Sequence, residues 1–214
     1  MDEKIKVMIV DDHKMVAQAL ARSIDDQSDM HVIAAPGSLE ESVSTARLLA
    51  PDVVLMDYEL PDGNGIDAAA KIRADRPETR IVMVTAYTDD AILIAAIEAG
   101  CSGYVTKDKA MDEVVRAVRA AHAGEALISP AMLARLLPKL RPSNKGVGTD
   151  LTEREREVLK LLAEGASNQA IADTLVISVH TVRHHVQNVI TKMNSHSKLE
   201  AVATAAREGL IRYT

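Results

Sequence analysis

The first apolar stretch of the chain is IKVMIV at 5–10, in which every residue except Lys6 is apolar. Short runs of this kind, rich in β-branched residues, are typical of strands buried on both faces of a sheet. The spacing then becomes helical and puts Met15, Ala19 and Leu20 on one face. A strand followed by a helix is therefore predicted at the start of the chain.

The same pair of patterns recurs four more times before residue 124. Strands that alternate with helices imply a parallel sheet with helices on both faces. We therefore expect an α/β fold with a five-stranded, doubly wound parallel sheet in a domain spanning 1–124. The predicted strands are 5–10, 31–35, 53–56, 81–84 and 103–105, and the helices after the first are 39–49, 64–74, 89–99 and 110–122.

The pattern loosens after Gly124, and residues 125–149 are predicted to form a linker with a short helix near 129–137. The linker includes PKLRPSNKGVGTD at its end, with two Pro, two Gly and no periodicity. Beyond it only helical spacing remains, so 150–214 is predicted to be an all-α domain of four helices. Their expected N-terminal residues are Thr152 (a capping box with Glu155), Ser167, Ser178 and Lys198, and their expected ends are Gly165, Leu175, Met193 and Arg207.

Composition narrows the class of protein. A hydrophobic fraction of 47% over 214 residues supports packed cores and excludes global disorder. The single cysteine excludes a disulfide framework and a CxxC-type zinc site. No apolar run approaches the roughly 18 residues that span a membrane, and the acidic N-terminus is unlike a signal peptide. A cytoplasmic protein without a membrane association is the expectation.

The net charge of −6 is unevenly distributed. The segment 177–196 contains no Asp or Glu, but it contains Arg183, Lys192 and four of the seven histidines. Stacking of single-stranded nucleic acid is disfavoured, because the chain has four Tyr and neither Phe nor Trp. Any contact with DNA is therefore expected to use this acid-free segment.

Polar residues follow four of the five predicted strands. Asp11 and Asp12 follow the first, Asp57 the third, Thr85 the fourth, and Lys107 comes just after the fifth. Ligands of such sheets bind at the carboxyl ends of the strands, so these side chains are expected to meet. Crowded carboxylates are relieved by a divalent cation such as Mg²⁺, and a Lys and a Thr can hold phosphoryl oxygens. The set predicts phosphorylation of the Asp57 carboxylate.

Each of these residues also has an ordinary structural interpretation. An Asp after a strand is often a helix N-cap, and a Lys or Thr at a strand end says little alone. Their joint occurrence at one edge of the predicted sheet is what favours the phosphorylation site.

Four stretches resemble the receiver domain of two-component response regulators over residues 5 to about 122: IVDD (9–12), VVLMDYELPDGNGID (53–67), VTAYTDD (84–90) and AGCSGYVTKD (99–108). The resemblance implies a flavodoxin-like fold and a sensor histidine kinase that transfers a phosphoryl group to Asp57. It implies that Asp12, Asp57 and the main-chain carbonyl of Glu59 bind Mg²⁺ directly, with Asp11 acting through water.

The same resemblance implies further roles. Thr85 and Lys107 would bind the phosphoryl oxygens. Tyr104 would be the switch aromatic, which turns inward when Thr85 moves toward the phosphate. Glu59 and Tyr87 would tune spontaneous dephosphorylation, because they flank the approach of water.

The predicted helix at 178–193 has one apolar face, and the opposite face carries no acid. A short helix, a tight turn and a longer helix with a polar face form the helix-turn-helix layout. A plain solvated face is the alternative, but surface helices normally include Glu or Asp. A metal pair of His180 and His184 is a less favoured interpretation.

The stretch LTEREREVLKLLAEGASNQAIADTLVISVHTVRHHV (151–186) resembles the LuxR-type DNA-binding domain, and the match extends to about Gly209. Together with the receiver it resembles the NarL/FixJ class. By position, the resemblance implies base contacts for Arg183, His184 and Gln187 and phosphate contacts for Thr181 and Lys192. The last helix, 198–207, resembles the dimerisation helix of that family.

The sequence thus predicts a phosphorylation-controlled transcription regulator that binds double-stranded DNA as a homodimer and is not an enzyme in the turnover sense. The alternative is a Mg²⁺-dependent phosphohydrolase with Asp57 as a transient nucleophile. Such enzymes usually have a second Asp two residues later, where this chain has Glu59. A regulator that ignores phosphate is the third interpretation.

Overall fold

The computed structural model describes residues 4–108, 111–125 and 150–211, together with the single residues 136, 139 and 148. The chain divides into two compact units, Met1–Ala123 and Gly124–Thr214. The predicted fold class is confirmed: the first unit is a five-stranded parallel α/β sheet and the second is helical.

The strands of the sheet are β1 Ile5–Val10, β2 Met30–Ala34, β3 Val53–Met56, β6 Arg80–Thr85 and β7 Gly103–Thr106. Their order is β2-β1-β3-β6-β7, and every neighbouring pair is parallel. Its central strands are almost fully buried, as their continuous apolar sequences predict. The registers pair Val10 with Met56, Met56 with Met83, and Thr85 with Thr106, so the carboxyl ends lie at one edge.

A small antiparallel hairpin, β4 Glu59–Leu60 with β5 Gly63–Asn64, was not predicted. Strands of two residues are too short to give a periodic signal. The hairpin folds the loop after β3 back on itself, and the Gly65 amide donates to the Tyr58 carbonyl at 2.7 Å. A Cβ atom on Gly65 would lie 1.9 Å from the Asp57 carbonyl oxygen, so only glycine fits this close approach.

The first helix buries a different face from the one predicted. Ala17, Leu20 and Ile24 are buried, whereas Met15 is 84% exposed and Ala19 is exposed. Of the three residues predicted to be buried, only Leu20 is. The helix starts at Lys14, and its buried face is formed by Ala17, Leu20 and Ile24, at positions i, i+3 and i+7. The helices of this unit are α1 Lys14–Asp25, α2 Leu39–Leu49, α3 Gly65–Asp75, α4 Asp90–Glu98 and α5 Met111–His122.

The second unit contains four described helices after residue 150: α6 Glu153–Ala163, α7 Asn168–Leu175, α8 Val179–Lys192 and α9 Lys198–Arg207. The predicted capping box of Thr152 and Glu155 is present at the start of α6. The apolar face of α8 is buried through Val182, Val186, Val189 and Ile190. The short helix predicted near 129–137 and most of the predicted linker lie outside the described residues. Among the described residues, no helix combines the length and apolar character needed to cross a bilayer.

Candidate phosphoacceptor pocket and DNA-reading helix

Four of the residues predicted to meet at the sheet edge, Asp11, Asp12, Asp57 and Lys107, lie together there. Asp11 follows β1, Asp57 follows β3, and Lys107 follows β7. Because these strands are parallel, their ends bring the three side chains together. The Lys107 Nζ lies 2.7 Å from Asp11 Oδ2 and 2.7 Å from Asp57 Oδ2. Both carboxylates are buried, so the Lys107 ammonium forms ion pairs with two acids that have little contact with solvent.

The second oxygen of each carboxylate is also fixed. Asp57 Oδ1 accepts a hydrogen bond from the Tyr58 amide at 2.7 Å, and Asp11 Oδ1 accepts one from the His13 amide at 2.9 Å. Burial raises the pKa of Asp57 and outweighs the opposing hydrogen bond and charge of Lys107, while the Asp11 charge adds a smaller contribution in the same direction as burial. Burial also disfavours the charge of Lys107, but its bonds to Asp11 and Asp57 dominate and raise its pKa.

The acidic cluster has the donor chemistry of a cation site. Asp11, Asp12, His13 and Asp57 each offer one ligand atom, and these atoms lie within 4.8 Å of one another. The three carboxylates match the preference of Mg²⁺ for oxygen ligands, and Asp12 is exposed to solvent. The structure adds His13, whose Nδ1 lies 2.7 Å from Asp12 Oδ1. Its only sequence signal was its place directly after the two acids.

Thr85 lies at the end of β6 and is fully buried. Its Oγ1 accepts a hydrogen bond from the Tyr87 amide at 3.2 Å. A hydroxyl has one proton to donate besides its lone pairs. Thr85 can therefore keep this bond and still donate to a ligand oxygen in the pocket.

Tyr104 is buried in β7, and its hydroxyl donates to the Tyr87 carbonyl at 2.6 Å. Burial raises the pKa of Tyr104 to about 12, with smaller contributions from Asp89 and Tyr58. The side chain already points inward in this conformation. The inward turn that was predicted for Tyr104 would therefore require a different starting conformation, in which this side chain points outward.

The side chains of Glu59 and Tyr87 contact each other, a contact that the sequence did not predict. The Tyr87 hydroxyl donates to Glu59 Oε1, and this bond raises the pKa of Tyr87. The Tyr58 ring meets Tyr87 edge-on, with ring centroids 5.5 Å apart. The pair links β4, which contains Glu59, to the loop after β6.

On α8, the side chains predicted to read bases lie at the surface. Arg183, His184 and Gln187 are exposed on the face opposite the buried valines. Thr181 sits in the first turn, where its amide donates to Ser178 Oγ at 3.0 Å and its hydroxyl lies 2.8 Å from the same atom. The face is thus polar, acid-free and accessible within this unit.

Lys192 has a carboxylate partner in this structure. Its Nζ lies 2.8 Å from Glu155 Oε2 and 3.2 Å from the Asp150 carbonyl oxygen. Burial alone would raise the pKa of Glu155, but the bonds from Lys192 and from Thr152 outweigh it and lower that pKa to about 2. The predicted phosphate contact of Lys192 would therefore have to compete with a strong internal ion pair.

Comparison with known families covers both units. Residues 7–119 match the model of the response regulator receiver domain, and residues 149–205 match the luxR family of bacterial regulatory proteins. The response regulator protein VraR of Staphylococcus aureus is 34% identical over 208 residues, which is 97% of this chain and 99% of the relative.

Solved structures give the same assignment. A LuxR-family two-component response regulator from Aurantimonas sp. matches with a TM-score of 0.60 and 34% identity, over 64% of this chain and 98% of the other. The response regulator ChrA of a heme-sensing two-component system matches with a TM-score of 0.52 and 29% identity, over 97% of this chain and 99% of the other.

Proposed function

The chain belongs to the LuxR-type response regulators, which are DNA-binding regulators of transcription, and from this premise we propose that phosphorylation of Asp57 controls its binding to DNA. The observation that carries the proposal is the double ion pair of Lys107 with Asp11 and Asp57, at 2.7 Å each. It brings the nucleophile Asp57, the Lys107 ammonium and the second acid, Asp11, together at the edge of the sheet. The phosphohydrolase alternative has no comparable support.

Phosphoryl transfer follows from this arrangement. An oxygen of Asp57 attacks the phosphorus of a phosphohistidine on the kinase, and the P–N bond breaks as the P–O bond forms. The Tyr58 amide holds Asp57 Oδ1, which orients the carboxylate. Lys107 exchanges Asp57 Oδ2 for a phosphoryl oxygen, and the Thr85 hydroxyl donates to another. Asp12, Asp57 and the main-chain carbonyl of Glu59 would hold Mg²⁺ directly and Asp11 through water; the ion would neutralise charge on the phosphoryl group.

Glu59 and Tyr87 set the lifetime of the aspartyl phosphate. Their side chains are joined by a hydrogen bond beside Asp57 and restrict the approach of a hydrolytic water. The change in charge at Asp57 acts on Thr85, which is bonded to the Tyr87 amide, and on Tyr104, which is bonded to the Tyr87 carbonyl. The segment around Tyr87 is therefore the element that responds to phosphorylation.

DNA recognition belongs to α8. Arg183, His184 and Gln187 contact base edges in the major groove, and Thr181 and Lys192 contact phosphates. Lys192 does so by exchanging Glu155 for a phosphate oxygen. A homodimer presents two such helices to a two-part operator. The proposed organisation is a receiver over 1–124, a linker over 125–149 and a DNA-binding domain over 150–214, in a protein of the cytoplasm.

The test compares the wild type with D57A, each with and without a small phosphodonor and Mg²⁺. Operator DNA selected from a random pool and sedimentation give binding and oligomeric state. We expect the phosphodonor to increase operator binding of the wild type and to leave D57A unchanged. The exposed Asp26 provides a matched control, D26A, which should behave like the wild type. Equal responses of wild type and D57A would refute the proposal, and multiple turnover of the donor would support the phosphohydrolase.

A further inference from the structure

Glu125 is the residue that fixes the beginning of the second unit to its helices. It stands three residues after the end of α5 and was assigned only to the linker by the sequence. Its Oε1 accepts a hydrogen bond from the Asn168 amide at 2.9 Å, and its Oε2 lies 2.7 Å from the Lys198 Nζ. Asn168 begins α7 and Lys198 begins α9, so one carboxylate joins the N-termini of two helices.

The partners of Glu125 are buried, which makes the contact specific. Asn168 is 2% exposed and Lys198 is 7% exposed. The Lys198 Nζ also lies 3.3 Å from Asn168 Oδ1, so the three side chains form one network. Burial lowers the pKa of Lys198, and Glu125 opposes this shift. An ammonium in such surroundings needs its counter-charge, because a buried charge without a partner is strongly destabilising.

The helix held by this network is the one that resembles a dimerisation helix. Every residue from Lys198 to Ala205 is buried within the single chain, including the polar Glu200 and Thr204. α9 packs against α6 and α8 in its own unit. A helix that serves a twofold interface has to present one face to its partner. In the described conformation α9 has no such face over these eight residues.

The residue before Glu125 is suited to a change in chain direction. Gly124 has a φ of +72°, and a Cβ atom there would meet no heavy atom within 4 Å. Its positive φ, and not a lack of space, is therefore what favours glycine. The chain leaves α5, passes this glycine and is attached at once to α7 and α9 through Glu125.

We propose that the ion pair of Glu125 with Lys198, here named the Glu125 clasp, holds the start of the linker on the N-termini of α7 and α9 and keeps α9 from pairing with a second copy of this chain. Opening of the clasp exposes α9 and permits dimerisation on DNA. This role rests on the proposed function, in which phosphorylation at Asp57 promotes that dimer.

The test measures sedimentation and operator affinity of the full-length chain without phosphodonor. E125Q keeps the shape of the side chain but removes its charge, and we expect it to dimerise and bind the operator at least tenfold more tightly than the unphosphorylated wild type. The reversed pair E125K/K198E restores the attraction but not the hydrogen bond from the Asn168 amide, so it should return both readouts part of the way to the wild type. E164Q, at an exposed acid of the same unit, is the matched control and should change neither.

E125Q leaves the buried Lys198 without its counter-charge, so the variant could unfold. E125D serves in that case, because it keeps the charge but shortens the side chain by one methylene, and it should give a smaller increase in the same direction. Wild-type behaviour of the folded E125Q, or of E125D if E125Q unfolds, would overturn the clasp. Failure of the wild type to respond to the phosphodonor would count against the proposed function instead.

Discussion

The buried position of Asp57 makes the stability of the folded protein depend on pH. Its carboxylate is buried beside Asp11, and burial raises its pKa despite Lys107. The folded protein therefore binds the Asp57 proton more tightly than the unfolded chain does. Stability from this group is present below the unfolded pKa and is lost as pH rises through the raised folded pKa.

D57N removes that dependence. We expect the stability of D57N relative to the wild type to increase with pH across this interval, because only the wild type must ionise a buried carboxylate. Thermal midpoints of the full chain at acidic and neutral pH, without Mg²⁺, measure the difference. The exposed-site variant D26N should show no such trend. A difference between D57N and the wild type that is flat or falls with pH would contradict the explanation.

Val176 shows backbone strain in the turn before α8. It ends α7 with a φ of +53° and is 88% exposed, so no packing of its side chain compensates for the left-handed conformation. For a β-branched residue this conformation costs about 1–2 kcal/mol. V176N should remove part of this cost, because Asn tolerates the left-handed region.

The measurement is amide exchange of α7 and α8 in the full-length chain. A gain of about 1 kcal/mol corresponds to roughly fivefold slower exchange wherever exchange requires unfolding of the unit. V176A is the control, since Ala keeps a Cβ atom and should recover much less. Equal protection in V176N and the wild type would show that the turn is not strained.

At the scale of elements, the hydrogen bond between Tyr87 and Glu59 ties β4 to the loop after β6, near the proposed phosphoacceptor Asp57. Y87F and E59Q each weaken this bond, and each should speed hydrolysis of the aspartyl phosphate by about threefold, because both loops restrict access of water. If the two side chains act through one contact, the double variant should be no faster than the singles. Decay of the phosphorylated chain measures this, and additive effects would mean that the residues act separately.

The α8 face makes a prediction about specificity. R183A should weaken binding to the selected operator by about 1–3 kcal/mol, because a bidentate base contact is worth that much, and it should relax preference at one base pair. R156A removes the same charge from an exposed position on α6 and is its control. Competition with single-base operator variants checks this; equal losses on every sequence would assign Arg183 to the phosphate backbone.

Elements with a strong local signal could be predicted from the sequence. The buried runs gave the five strands, and the capping box of Thr152 and Glu155 gave the start of α6. The hairpin of β4 and β5 was missed because two-residue strands have no period. The ion pairs of Lys192 with Glu155 and of Lys198 with Glu125 join residues 37 and 73 positions apart, and no local pattern encodes such distances.

At the scale of the whole molecule, the proposed function requires that the pocket at the sheet edge be coupled to α8 in the other unit, and coupling of this kind is reciprocal. If occupation of the pocket raises operator affinity by a certain factor, operator binding must raise affinity for the pocket ligand by the same factor. Beryllofluoride, a non-covalent mimic of a phosphoryl group, makes the pocket equilibrium measurable in the presence of Mg²⁺. D57A should not bind it, because the mimic needs the Asp57 oxygen.

We expect the operator to increase the affinity of the wild-type chain for beryllofluoride by about 5–150-fold, the range of 1–3 kcal/mol that such couplings usually span. DNA of the same length without the operator should have a much smaller effect. If E125Q opens the clasp as proposed, more of the chain is competent for dimerisation before the ligand binds, and the factor should shrink. If the wild type binds beryllofluoride with the same affinity with and without operator, the pocket and α8 are not linked. A ligand that binds two states equally cannot shift the equilibrium between them.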